Sequence, residues 1–308
     1  MSQAEEWTIK SLLDWTVSFF GKKGFDSPRL DAEVLLAYVL NTTRVDLFVR
    51  YDEKASDEAR AQYRELVRRR SQGEPVAYLV GKKEFYSLDF TVDLNVLIPR
   101  PETEQLVLET IEYVKKVSKG AAAEGAGEAP TPRTWSICDV GAGSGCIAVA
   151  LAKYVANSRV LAIDISAPAL EVARKNAEKH GVAEKIEFRE GDLLDSVALD
   201  LPEEERFDII ASNPPYVSES EYAELDPTVK NFEPKLALIG GQTGAELPVR
   251  LASQAPDRLK SGGRFFMELS PTTVNAVADA MKNDERWSDV EIRRDFAHID
   301  RFVCAKRK

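Results

Sequence analysis

The apolar run Phe207-Asp208-Ile209-Ile210-Ala211-Ser212 leads directly into Asn213-Pro214-Pro215-Tyr216. The run is short, β-branched and bounded by turn residues, which predicts a buried parallel strand. The two prolines stop the ladder and stiffen the turn beyond it. The tetrapeptide is therefore expected at the carboxyl end of a strand, where open α/β sheets bind ligands. It offers the Asn213 amide, the Pro214 carbonyl with no N–H beside it, and the Tyr216 ring. Those groups suit a flat group carrying an NH2. Taken alone, the same residues also fit a rigid proline turn, and the choice rests on the rest of the chain.

A second constellation is Asp139-Val140-Gly141-Ala142-Gly143-Ser144-Gly145, after one apolar run and before another. Glycines at alternate positions let backbone approach a ligand closely. The spacing is G-x-G-x-G, and Cys146 stands where a dinucleotide fingerprint would want glycine or alanine. Asp164 ends the next expected strand, where a carboxylate can accept both hydroxyls of a ribose. Gly191-Asp192-Leu193 comes after the third. Asp192 is suited to accept from an adenine amine and Leu193 to cover its ring. Each feature alone fits a tight turn. Together, in successive units, they point to a nucleoside ligand lying across the sheet edge.

The elements that must position these groups are legible as periods. Strands are expected at 136–140, 159–163, 185–189, 207–212, 263–268, 289–293 and 301–305, with helical segments between most of them. That alternation predicts a doubly wound α/β domain over residues 99–308. Residues 1–83 read instead as a small all-helical domain, with Thr8, Ser27-Pro28, Thr43 and Ser56 starting its helices. Residues 84–98 change to a period of two or three, which predicts a β-hairpin linker. Pro101, Glu102 and Glu104 suit a helix first turn. Residues 120–134, rich in Ala, Gly, Glu and Pro, are expected to form a flexible surface loop.

Composition narrows the classes. The net charge is −10, carried by the part beyond residue 85, since residues 1–85 balance their charges. An acidic domain repels DNA phosphate and suits a basic protein partner. Arg68-Arg69-Arg70 is read as a solvated helix end, with contact to an acidic or RNA-associated partner as the sharper alternative. Three cysteines without a C-x-x-C and only two histidines argue for a reducing cytoplasm and against a metal site. No apolar stretch is long enough to span a bilayer.

Several stretches then carry a resemblance over nearly the whole chain. They are Gly73-Glu74-Pro75-Val76-Ala77-Tyr78-Leu79, Glu84-Phe85, Leu97-Ile98-Pro99-Arg100-Pro101-Glu102-Thr103-Glu104, Gly143-Ser144-Gly145-Cys146-Ile147-Ala148, Ser212-Asn213-Pro214-Pro215-Tyr216-Val217 and Phe232-Glu233-Pro234. The chain resembles the HemK/PrmC family, which methylates the side-chain amide (N5) of the glutamine in the Gly-Gly-Gln motif of peptide chain release factors. The resemblance implies S-adenosylmethionine as cofactor and a Rossmann-like, seven-stranded class I methyltransferase domain. It implies a release factor as protein partner, with no direct nucleic-acid contact and no membrane, for a cytoplasmic enzyme acting as a monomer.

Carried over residue by residue, Asp139, Gly141, Ala142, Gly143, Ser144, Gly145, Asp164, Asp192, Leu193 and Asn213 are expected around the cofactor, with Thr103 close to its methionine end. Asn213 and the Pro214 carbonyl would accept the two hydrogens of the substrate amide, with Pro215 shaping the turn and Tyr216 packed on the amide plane. Asn213, Pro214 and Tyr216 are thus the expected catalytic residues. The chemistry needs few bases, because a sulfonium is already an activated methyl donor and positioning supplies much of the rate. One departure is His298, where the family carries glycine in an Asp-x-x-Gly-x-Asp-Arg stretch. Gly240-Gly241-Gln242 spells the methylated motif itself, and a turn is the better reading. Asn-Pro-Pro-Tyr is shared with DNA adenine N6-methyltransferases, so that activity is one alternative. A non-catalytic release-factor-binding module is the other. The acidic balance opposes the first, and the intact tetrapeptide and glycine loop oppose the second.

Overall fold

The computed structural model describes residues 7–124 and 133–308, without the side chains of 120–124. Most of the expected 120–134 loop lies outside the described residues. The described chain divides into two compact units.

The first comprises Met1–Lys82 and Pro227–Phe232. Its helices are α1 (Ile9–Lys22), α2 (Pro28–Val39), α3 (Arg44–Val49), α4 (Asp57–Ser71) and α5 (Val76–Val80). Thr8, Thr43 and Ser56 each accept a backbone N–H at their helix start, and Thr43 forms a reciprocal capping box with Asp46. Ser27 makes no such bond, and Pro28 alone marks the start of α2. Phe20, Leu35, Leu36, Leu47 and Tyr63 fill the core. The arginine run is absorbed locally. Arg68 pairs with Glu65, Arg69 with Glu74, and Arg70 with Asp31 at 2.8 Å. The short α10 (Pro227–Lys230) belongs here too, and a side chain at Gly73 would meet the Phe232 ring at 3.5 Å.

The second unit holds a two-stranded hairpin, β1 (Lys82–Phe85) and β2 (Leu88–Thr91), and a seven-stranded sheet. The hairpin is earlier and shorter than the expected 84–98. Tyr86 and Ser87 both take positive φ, so the strands turn within two residues. Then come α6 (Pro101–Glu124), β3 (Trp135–Val140), α7 (Cys146–Tyr154), β4 (Ser158–Asp164), α8 (Ala167–Lys179), β5 (Ile186–Glu190) and β6 (Phe207–Ser212). The backbone of α6 runs into the stretch expected as loop, where Ala121-Ala122-Ala123 favour helix. Beyond β6 lie β7 (Val217–Ser218), α9 (Glu219–Glu224), β8 (Ile239–Gly241), α11 (Glu246–Gln254), β9 (Leu259–Glu268), α12 (Val274–Lys282), β10 (Trp287–Arg294) and β11 (Asp300–Arg307).

The sheet order is β10-β11-β9-β6-β3-β4-β5. The five strands from β9 to β5 are parallel, β11 runs antiparallel to β9, and β10 pairs antiparallel with β11 at the edge. Every residue of β6 is buried, as a strand covered on both faces requires. Alternate residues feed two cores, Ile209 and Ala211 on one face and Ile210 on the other. Asp208 is the exception within β6. Its buried carboxylate accepts from Arg133 at 2.5 Å and the Ser136 N–H at 2.8 Å. From β3 the chain winds outward through β4 to β5, then returns to place β6 on the other side of β3. The topological switch point therefore falls between β3 and β6, and both candidate stretches start there.

Candidate active site

The glycine turn leaves β3 and the tetrapeptide leaves β6, two strands in direct register, Val140 opposite Ser212. The Ser212 hydroxyl donates to the Val140 carbonyl at 2.6 Å and ties the two exits together. Gly141 has a φ of +78°, and a Cβ there would lie 3.6 Å from the Asn213 carbonyl oxygen. Gly145, also at +78°, faces Ala173 of α8 so closely that a Cβ would meet its side chain at 2.9 Å. Positive φ asks for glycine at 141, and the close approach of α8 asks for it at 145 as well.

A cavity of about 260 Å³ opens at this edge. Gly141, Gly143, Asp164, Leu193, Asn213 and Pro215 are among the residues that line it, with Asn95, Val96 and Leu97 from the segment after the hairpin. Asp164 accepts the Gly143 N–H at 2.8 Å through one oxygen and the Ser166 N–H at 2.8 Å through the other. Burial pushes its carboxyl above the usual range despite those bonds. Each carboxylate oxygen has a second lone pair, which fits the acid to a ribose diol. Asp192 also lines the cavity, but one of its oxygens is taken by Arg250. Leu193 beside it is held at a φ of +52°, a conformation costly for a branched side chain. Ile165 and Leu193 give the cavity apolar walls between these acids. A nucleoside whose sugar hydroxyls donate to Asp164 and whose flat base packs between the apolar walls fits this lining.

Four expected cofactor residues support the loop and are not on the cavity lining. Asp139 is fully buried, and its Oδ2 accepts the Ala148 N–H at 2.9 Å in the first turn of α7. Burial pushes its pKa up to about 7, and its Oδ1 has no partner. Ala142, Ser144 and Gly145 make the turn itself, and the Ser144 carbonyl accepts from the Asn176 side chain at 2.9 Å. Asn176 also holds the Thr91 N–H at 2.7 Å and the Thr91 carbonyl at 3.0 Å.

Thr103 is not on the lining either. It sits 2% exposed in the first turn of α6, and its Oγ1 accepts from Asn213 Nδ2 at 3.0 Å. Tyr216 turns its hydroxyl inward to Glu268 Oε1 at 3.4 Å, and burial raises its pKa. Glu268, at the carboxyl end of β9, is absent from the site residues expected from the sequence. The rule that picks out Asp164, an acid at the end of a parallel strand, finds it equally well. The backbone of Pro215 and Tyr216 lies against Gly240 and Gly244, where a Cβ would meet backbone at 2.5 Å or less. Gly240-Gly241-Gln242 is therefore the turn that seats the tetrapeptide, with β7 and β8 paired beside it. Glu233 braces the other wall. It accepts from Arg100 at 2.6 Å and from the Ile98 N–H at 3.2 Å. His298 takes a φ of +62°, a backbone conformation that glycine adopts without strain.

A methyltransferase domain family matches residues 133–299 and the PrmC N-terminal domain family matches residues 11–81. The seven-stranded order, the glycine turn and the strand-end acid define a Rossmann-like class I methyltransferase, the class whose methyl donor is S-adenosylmethionine. The hMettl16 catalytic domain, solved in complex with MAT2A 3′UTR hairpin 6, covers 79% of this chain and 82% of its own at a TM-score of 0.52. At 15% identity that likeness shows the fold alone. Sequence relatives go further. A release factor glutamine methyltransferase of Rhodopirellula baltica is 42% identical over 98% of this chain and 97% of its own. One of Chlorobaculum tepidum is 40% identical over 98% of each. The chain belongs to the release factor glutamine methyltransferase family.

Proposed function

We propose that the protein transfers a methyl group from S-adenosylmethionine to the side-chain amide nitrogen of the glutamine in the Gly-Gly-Gln motif of peptide chain release factors. The observation that carries this reading is the Asn213 amide. Its nitrogen is spent on Thr103, which leaves the Oδ1 acceptor for a ligand in the cavity.

An amide nitrogen is a poor nucleophile because its lone pair is delocalised into the carbonyl. Asn213 Oδ1 and the Pro214 carbonyl, each accepting one N–H, raise electron density on that nitrogen and orient its lone pair. Tyr216, tethered to Glu268, supports a ring packed on the amide plane. S-adenosylmethionine, when bound, supplies an electrophilic methyl carbon on a sulfonium sulfur. Gly141, Gly143, Asp164, Asp192 and Leu193 would hold it along the strand ends, while Asp139, Ala142, Ser144 and Gly145 keep the loop in shape. The bound sulfonium would supply the methyl group to that nitrogen, with the C–S electrons staying on sulfur and the surplus amide proton passing to solvent. No strong base is needed, and the rate comes from orientation and from acceptors fixed in a desolvated pocket.

The net charge of −10 supports a basic protein partner over nucleic acid. We place the reaction in the cytoplasm, carried out by a monomer whose first unit recognises the release factor. Among the described residues no helix is long and apolar enough to cross a membrane. Incubation of purified release factor with the protein and methyl-labelled S-adenosylmethionine, with peptide mass mapping of the product, tests the reading. Label on the Gly-Gly-Gln glutamine is expected; an unlabelled factor, or label confined to another residue, contradicts it.

A further inference from the structure

The loop that follows β5 is held from outside the cavity by α11 and the turn after it. Residues 192–195 form a tight turn, closed by the Asp195 N–H on the Asp192 carbonyl at 3.1 Å. Leu193 is the second residue of that turn and takes a φ of +52°. Turns with positive φ at this position ask for glycine, because a Cβ crowds the following carbonyl. A leucine stays there only while its surroundings hold it. Asp192 and Leu193 line the cavity, while Leu194 and Val197 are buried in the core.

Three side chains do the holding. Gln254 gives both ends of its amide to the loop. Its Oε1 accepts the Leu194 N–H at 3.1 Å and its Nε2 donates to Asp195 Oδ1 at 2.7 Å. Arg250, four residues earlier and so on the same face of α11, donates to Asp192 Oδ1. Arg258, beyond the helix end, donates to the Leu194 and Val197 carbonyls at 3.4 and 3.3 Å. None of the three is among the residues lining the cavity, whereas Leu247 in the first turn of α11 is. One helix thus supplies part of the cavity wall and the clamp on the loop opposite.

We infer that Gln254 and Arg250 are positioning residues for the cofactor, holding Leu193 and Asp192 as they meet its base. The inference rests on the cofactor site in the function proposed above. Gln254 fixes the third and fourth residues of the turn, so the second cannot relax to negative φ. Leu193 then keeps its side chain on the cavity. Arg250 occupies Oδ1 of Asp192 and leaves Oδ2 to accept from an amine on the ligand. Both partners of this ion pair are partly exposed, so it adds little to stability and acts on direction. Without Arg250 the carboxylate is free to turn to water. The buried Leu194 and Val197 anchor the loop in either case, so loss of the clamp costs fit to the ligand while the fold remains.

The test is calorimetry of the full chain with S-adenosylmethionine and with adenosine, beside kcat for transfer to release factor at saturating cofactor. Gln254→Ala loses two hydrogen bonds to the loop and is expected to bind both ligands about tenfold more weakly. Its kcat at saturating cofactor should equal that of wild type, since the tetrapeptide is untouched. A general loosening of the fold would lower kcat along with affinity, and that result overturns the inference. Gln254→Glu sets a second carboxylate against Asp195 and should weaken binding at least as much. Adding Asp195→Asn to that variant restores a donor–acceptor pair and should return affinity to within about threefold of wild type. Failure of this rescue overturns the inference. Should Gln254→Ala fail to fold, Gln254→Glu and its rescue decide alone. Arg250→Met, which keeps the aliphatic stem, should weaken adenosine binding by about three- to tenfold. Wild-type affinity in Gln254→Ala or in Arg250→Met overturns the inference for that residue. A wild type that binds no S-adenosylmethionine contradicts the cofactor site itself. Wild-type binding without transfer to release factor contradicts the proposed substrate and leaves the clamp standing.

Discussion

Asp164 does two jobs with four lone pairs. It already holds the Gly143 and Ser166 N–H groups, so its remaining acceptor capacity faces the cavity in a fixed direction. Asp164→Asn keeps an acceptor but loses the charge and turns one backbone bond into a clash of donors. Cofactor binding by calorimetry should weaken by about 2–4 kcal/mol. Affinity in the wild type should also decline as pH falls through the raised pKa of this carboxyl, because the protonated acid accepts poorly. Glu268 makes a different prediction. Its folded pKa of about 7 lies above the ordinary value of 4.5, so the folded state holds the proton more tightly than the unfolded chain. Stability therefore falls as pH rises from 4.5 to 7, and the deprotonation cost is fully present only above that window. Glu268→Gln removes it. Thermal unfolding at about pH 8 should show the variant more stable by on the order of 1–3 kcal/mol, with the gain shrinking as the pH is lowered.

At the scale of elements, the strand–helix alternation is readable because buried parallel strands and their covering helices leave different periods. The strand expected at 207–212 is β6 as found, and 136–140 differs from β3 by one residue. Other features lack a local signal. Tyr86-Ser87 contains neither glycine nor asparagine, yet it makes the hairpin turn at positive φ, because Phe85, Leu88 and Phe90 are buried on either side. The pairing of β7 with β8 spans a few residues and depends on glycines that let Gly240 and Gly244 lie on the Pro215–Tyr216 backbone. The glycine loop and Asp164 are legible as types and spacing. Glu268 obeys the same strand-end rule as Asp164, whereas Asn176 is not legible, since its role depends on which strand and turn its helix meets. Asn176 is the clearest case. From α8 it bonds β2 twice and the Ser144 carbonyl once, so one amide joins hairpin, helix and glycine turn. Asn176→Ala leaves those buried backbone groups unpaired. It should cost about 2–4 kcal/mol in denaturant unfolding and weaken cofactor binding with it.

For the whole molecule, the two units differ in fold and in charge. The first carries a helical core and balanced charge, and its Arg68-Arg69-Arg70 run is neutralised by Glu65, Glu74 and Asp31. The second carries the sheet, the cavity and the negative balance. If the first unit recognises the release factor, a chain starting at Phe85 should keep cofactor affinity and transfer to a short Gly-Gly-Gln peptide. Its kcat/KM on intact factor should drop by about tenfold or more, with circular dichroism confirming the fold. Central to the proposed mechanism is Asn213 Oδ1, accepting a substrate N–H in the transfer step. Single-turnover methyl transfer by full-length Asn213→Ala to intact release factor, at saturating cofactor, tests it most directly. The predicted result is a rate lower by about 10²–10³ with cofactor affinity retained. A well-folded Asn213→Ala protein that transfers at the wild-type rate would contradict it.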